Sequence, residues 1–505
     1  MTSPLSQTPA RADRLASLPG HWLLGMLAGW LAADLVLLSA FLGFTSPLLL
    51  GLQALASSLL VFGLTRGARQ IGPIPLRRIG LCVAIAFVLL LLGGEGRLFY
   101  ANIDWQVRDA VLRDMAIHPW PFAYLYQGEP FLLRAPIGMY LLPALAWKAW
   151  GETAGGLTLL IQNALLLGGL LALASPLFDS RRGRWIALIV ALCFGGLDIV
   201  GNAIVGPRFI DHLEGWLPGF QFSSFITLAF WVPQHALAGW LCGLLFLLWR
   251  VGKLDIGVFL AVVPLTALWS PLSMIGALPW AALAGVEALR QGTLSWRSLV
   301  LPLGASALSL PALAYLGMAG DNVGIRLYAY DFPRYALFEA LETLPWLVPV
   351  MAASPQSRFG RHAATLAGVV MLVIPQAQIG WSIDLMMRGA IPSQTVLAVL
   401  VAEILAASPG WKTAGRHWWL AGALALAACI GVSEINRAFR FAPVGHGRCS
   451  FFKAWDQGFA RYPKGSYLAP LGKVPPRLLG QHVSIVPVVE PDACWEGVWR
   501  RPVGV

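Results

Sequence analysis

The chain has 505 residues, 57% of them hydrophobic and only 12% charged, and its mean hydropathy is +0.67. That balance excludes an ordinary soluble domain, in which about 45–50% of residues are apolar and about 25% are charged. The net charge of +11 would suit a nucleic-acid binder, but Lys and Arg fall mostly in short connections between apolar stretches. That is how membrane spans are oriented, so nucleic acid is not an expected partner.

A hydrocarbon layer about 30 Å thick needs roughly 20 apolar residues per helical span. Only helices satisfy their own backbone polar groups within one segment. The fold class predicted is an all-α polytopic membrane protein with about thirteen transmembrane helices. They are placed at 21–44, 46–65, 79–94, 153–177, 184–204, 233–250, 255–269, 273–290, 298–318, 341–354, 362–379, 389–408 and 417–435, which makes 21–435 the membrane domain. A polar segment, 1–20, precedes it, and with no small-residue cleavage site after the first span, that span reads as a retained anchor.

With the N-terminus in the cytoplasm, each inside connection is basic. They carry Arg11 and Arg14, then Arg66, Arg69, Arg77 and Arg78, then Arg181, Arg182 and Arg184. Arg250 and Lys253, Arg290 and Arg297, Arg358 and Arg361, and Lys412 and Arg416 follow. The agreement requires 136–150, roughly 15 residues broken by Pro143, to be a juxtamembrane or re-entrant helix rather than a crossing. Outside then lie a long first loop (95–135, or 95–152 with its juxtamembrane helices), loops at 205–232 and 321–340, a turn at 381–388, and a C-terminal segment, 436–505.

In the first loop, Trp105, Ala110–Val111–Leu112 and Met115 return to one face and predict a short helix, which Pro119 and Pro121 end. Asp104 opens that helix beside the membrane boundary. A carboxylate there can take a proton from an acceptor hydroxyl, or it can simply cap the helix. Arg108 and Asp109 follow at spacings that also suit ordinary i,i+4 pairs. Arg134, just before the 136–150 helix, is a natural phosphate contact. Gln234 and His235 offer hydrogen bonds at the mouth of a span, unless that segment is only a helix start with Pro near its first turn.

Arg388 re-enters the membrane one turn after Asp384. A cation at that depth implies a partner, either Asp384 or a phosphate held jointly with Arg134 and Arg208. Cys82, Cys193, Cys242 and Cys429 fall within predicted spans, whereas Cys449 and Cys494 share the tail. An oxidising compartment would bridge that last pair. The run 483–489 alternates as a strand does, and with the tail's Pro, Gly and aromatic residues it predicts a small folded cap. P-loop, dinucleotide, Gly-x-Ser-x-Gly and His/Cys metal spacings are absent from the sequence. Asp104 and Asp109 could ligate a divalent cation such as Mg²⁺ or Mn²⁺ but lack a clear third ligand.

Asp104-Trp105 leading to Asp109-Ala110-Val111-Leu112, Pro119-Trp120-Pro121, Tyr140 through Leu145, Pro233-Gln234-His235 with Gly239-Trp240-Leu241, and Asp384 through Pro392 occur in that order. Together they resemble the GT-C superfamily of integral membrane glycosyltransferases, bacterial branch, over residues 79–410. The resemblance implies a bacterial inner-membrane enzyme with a cytoplasmic N-terminus and a periplasmic C-terminal cap. It would move a sugar from a polyprenyl-phosphate carrier to a lipid-linked or cell-envelope glycan acceptor, with inversion. Asp104 maps to the first-loop acidic residue, as base or acceptor-orienting carboxylate. Arg388, Arg134, Arg208 and His235 would hold the donor phosphate, and Trp105, Arg108, Asp109, Gln234 and Asp384 the substrates. The first loop lacks the adjacent acidic pair of protein O-mannosyltransferases, which leaves acceptor and metal use open. A flippase of lipid-linked saccharides and a non-catalytic subunit of an envelope polysaccharide machine are the alternatives. A flippase would be expected to place charge near the midplane in broken or repeated helices.

Overall fold

The computed structural model describes residues 16–206, 212–320, 324–328, 330–407, 418–445, 447–480, 482–488, 490–491 and 493–499. The chain is a polytopic α-helical membrane protein. Among the described residues, seven helices are long and apolar enough to cross a membrane: Gly20–Phe41, Pro47–Gly67, Glu152–Leu177, Arg181–Val205, Pro271–Arg290, Trp296–Gly317 and Trp418–Arg440. An eighth crossing results if Phe332–Glu342 and Leu344–Ala353, bent by 58°, count as one.

The other predicted spans are also occupied by helices, namely Leu76–Leu92, Pro233–Arg250, Ile256–Leu265, Arg361–Val373 and Ile391–Ala407. Their reach is smaller. Ten residues of helix cover only about 15 Å, and Pro233–Arg250 opens on Pro-Gln-His and closes on Arg. The predicted span at 184–204 falls within the Arg181–Val205 crossing, whose helix is interrupted between Cys193 and Asp198. The last helix continues to Arg440, past its expected end at 435.

The packing is that of a bundle facing lipid. Pro47–Gly67 exposes Leu48, Leu52, Leu55, Leu59 and Phe62 at helical spacing, while its opposite side buries Ser57, Leu60 and Leu64. Outward apolar stripes of this kind are stable only in hydrocarbon. Pro233–Arg250 is instead buried from Pro233 to Leu248 and forms the centre of the bundle. Close approach matters most at Gly276, where an added Cβ would stand 1.9 Å from Gly389 O. A side chain there would push away the segment carrying Arg388.

The extramembrane part departs from an all-helical picture. The first loop contains the expected helix, Trp105–Ile117, and then a hairpin, Phe122–Tyr126 with Glu129–Leu133. Its turn is Gln127–Gly128, both at positive φ (51° and 84°), as a two-residue type I′ hairpin requires. The tail supplies two more strands. Leu468–Pro470 pairs antiparallel with Glu129–Leu133, and Ser484–Pro487 pairs parallel with Phe122–Tyr126. The result is one four-stranded sheet made from two ends of the chain.

Asp114 fastens this unit together. Its fully buried carboxylate accepts from Tyr124 Oη at 2.7 Å and from the Phe451 N–H at 2.9 Å, tying the loop helix to the hairpin and to the tail helix Phe451–Gly458. Cys449 and Cys494 are joined by a disulfide, with Cα atoms 4.9 Å apart and a sequence separation of 45. A crosslink closing a loop of that size restrains the unfolded chain by about 4 kcal/mol. Replacing both cysteines by serine is expected to loosen the tail alone. Hydrogen exchange should quicken over Phe451–Gly458 while Pro233–Arg250 is unchanged.

Candidate active site

Asp104 stands where a capping residue would, at the start of Trp105–Ile117, yet its carboxylate caps no backbone N–H. Its own N–H donates to Asn102 Oδ1 at 3.1 Å. Asn102 Nδ2 and Trp105 Nε1 both donate to Phe230 O, each at 2.8 Å, which pins the start of the loop to the helix Phe225–Trp231. With capping duty removed, the Asp104 carboxylate faces a cavity of about 500 Å³. Its side chain remains 16% exposed, whereas that of Asp114 is sealed at 0%. Only the former can meet a substrate.

Arg108, one turn further, places Nη2 3.8 Å from Asp104 Oδ2, and its Nη1 lies 3.4 Å from Tyr140 Oη. Across the cavity the short helix Asp384–Gly389 presents Arg388, whose Nη1 lies 2.7 Å from Asp384 Oδ1. Arg134 borders the same space but is already committed: it donates to Leu316 O, Gly465 O and Ser466 O at 3.0, 2.7 and 3.2 Å. Each of the three arginines retains a buried Nε–H with no acceptor among the described residues. Three guanidinium groups against two carboxylates, with unused donors, suit an anion such as a phosphate.

His235 lines the cavity at the mouth of Pro233–Arg250. Its Nδ1 is 2.8 Å from Ser270 Oγ, Ser270 Oγ donates to Ser273 Oγ at 2.8 Å, and Ser273 Oγ donates to Arg388 O at 3.1 Å. If Ser270 gives its proton to Ser273, His235 carries its proton on Nδ1 and its Nε2 accepts from the Gln234 amide at 3.4 Å. This serine relay also fixes the backbone at Arg388.

Burial raises the Asp104 pKa above the ordinary carboxylate value, and the Arg108 and Arg388 charges offset part of that rise. At His212, burial opposes the charged form, but the hydrogen bond and charge of Glu434, 3.2 Å away, and the charge of Glu214 win and raise the imidazole pKa.

Sequence reasoning brought Asp104, Arg108, Arg134, His235, Asp384 and Arg388 to one cavity. Three other expected substrate residues do not line it. Asp109 follows Asp104 by five residues, about 140° around the helix, and meets Arg97 at 3.6 Å. Trp105 is 2% exposed, with its indole spent on Phe230 O. Gln234 is buried beside His235, with its Nε2 3.4 Å from the ring. Arg208 lies outside the described residues. No group of three His, Cys, Asp or Glu side chains suited to a metal ion occurs among the described residues.

Residues not anticipated also line the cavity: His212 and Gln221 from the segment before the helix Phe225–Trp231, Tyr140 from the helix Gly138–Trp150, and Trp455, Tyr462 and Tyr467 from the tail, which roofs it. The only signal for the roof was the tail's aromatic content. Compared with protein-family models, curated proteins and solved structures, the chain finds no match.

Proposed function

We propose that the protein is a membrane glycosyltransferase that moves a sugar from a polyprenyl-phosphate carrier to a lipid-linked or envelope-glycan acceptor. The observation that carries this reading is the gathering in one cavity of an Asp104 carboxylate that caps no helix, the Arg108 guanidinium beside it, and the Arg388 guanidinium from a separate helix. The acceptor oxygen would attack the anomeric carbon as Asp104 takes its proton. The bond from that carbon to the phosphate oxygen breaks on the opposite face, so configuration inverts. The leaving polyprenyl phosphate gains a negative charge, which Arg388 and Arg108 stabilise. Thirteen crossings, with a cytoplasmic N-terminus and the Asp104 cavity on the outer face of a bacterial inner membrane, complete the proposal; the all-basic inside connections support that orientation.

The test is to incubate the purified protein with a labelled polyprenyl-phosphate hexose and a panel of lipid-linked acceptors across a range of pH. Transfer is expected, and because the ionised carboxylate is the active form, kcat/KM should fall as pH drops through an Asp104 pKa that burial has raised above about 3.9. Movement of the labelled lipid across vesicle membranes without any transfer would instead identify a flippase.

A further inference from the structure

A second cavity, about 440 Å³, lies at the other end of the bundle. Arg77 and Arg78 begin the helix Leu76–Leu92, whose 17 residues span about 25 Å before the chain turns toward Asp104. Arg181 and Arg184 begin the helix Arg181–Cys193. All four line this cavity, so it opens on the membrane face opposite the Asp104 site.

The electrostatics of the cluster are unfavourable as they stand. Cations are favoured at helix C-termini, where the dipole is negative, yet these four sit at two N-termini, where it is positive. Arg77 and Arg184 are close enough to Arg78 for their charges to bear on it. The contacts they make are neutral: Arg78 donates to Ser175 Oγ at 3.2 Å, and Arg184 donates to Phe178 O and Asp179 O at 3.0 and 2.7 Å. Among the described residues, none of the four forms an ion pair with a carboxylate. Arginines that only orient the chain need no shared pocket.

Beyond the arginines the cavity becomes an apolar shaft walled by Leu81, Leu170, Ala191, Trp240 and Leu244. Leu81 and Trp185 at its side are each 43% exposed to the surrounding hydrocarbon, which leaves an entrance from the bilayer. The shaft ends at Ser223 and Leu228, which also line the Asp104 cavity.

We propose that this cavity is a binding site for an anionic phospholipid of the leaflet opposite the Asp104 site. The headgroup phosphate sits among Arg77, Arg78, Arg181 and Arg184, and an acyl chain fills the shaft. A cationic mouth on an apolar, laterally open channel matches both halves of such a lipid. The site is independent of the reaction assigned to the Asp104 cavity.

Native mass spectrometry of the full-length protein in detergent, titrated with phosphatidylglycerol or phosphatidylcholine, tests it. Phosphatidylglycerol is expected to bind at least about tenfold more tightly. The double variant Arg78→Gln, Arg184→Gln should remove that preference, and Arg78→Lys with Arg184→Lys, which keeps both charges, should retain most of it. Ala191→Trp should weaken binding of the lipid by obstructing the shaft while leaving the arginines in place. Undiminished preference in the glutamine variant would overturn the proposal. So would equal competition by glycerol phosphate, which has the headgroup without the chain.

Discussion

Asp104→Asn will leave the protein folded and able to hold its donor, but it should reduce sugar transfer by about 10²–10⁴-fold, the usual contribution of a positioned general base. The expectation rests on what Asp104 does not do. It caps no helix, and the loop around it is held by Asn102 and Trp105 on Phe230 O, so an amide of the same shape disturbs no contact on which the fold depends. Arg108 loses its 3.8 Å partner but stays near Tyr140 Oη. Donor binding, measured with a labelled polyprenyl-phosphate sugar, should change by less than about threefold, within the 0.2–1 kcal/mol range of weak ion pairs. Full transfer by the variant would exclude Asp104 as the base.

Arg388→Ala should cost about 10²–10³-fold, chiefly in kcat, because the charge it meets grows as the sugar–phosphate bond breaks. Arg388→Lys should fall between, since an ammonium keeps the charge but not the planar fork. Asp384 loses its 2.7 Å partner in the alanine variant, but its side chain is 30% exposed and water can take over. A loss confined to KM, with kcat intact, would mean that Arg388 holds the donor equally in ground and transition states. Comparing the lysine and alanine variants also separates charge from the serine relay, because Ser270 and Ser273 reach only the Arg388 backbone.

The helical segments were legible because apolar runs near span length announce themselves without any tertiary information. Some of the six cavity residues found from sequence carry a second kind of signal, a polar group at the end of an apolar run. His235 and Arg388 are examples, each costly at that depth unless partnered. Trp105 and Asp109 show the limit of the same reasoning. Proximity in sequence to Asp104 suggested a shared role, but helical rotation turned Asp109 toward Arg97. The hairpin at Phe122–Tyr126 was hidden because its aromatic residues read equally well as interfacial anchors, although Gln127–Gly128 was a usable turn signal. The parallel pairing of Phe122–Tyr126 with Ser484–Pro487 has no local signature, so the shared sheet could not be foreseen, although a folded tail cap was expected.

That shared sheet sets an order on biosynthesis. The ribosome delivers Asp104, Arg108, Arg134 and His235 long before it makes the strands that enclose them, and most of the helices must be inserted in between. Until the last segment emerges, Asp114 has no Phe451 N–H and Arg134 has no Gly465 or Ser466 carbonyl to bind. A chain still being translated is therefore an open vestibule rather than a closed site. The cavity is complete only once the last segment has been made and folded back over it.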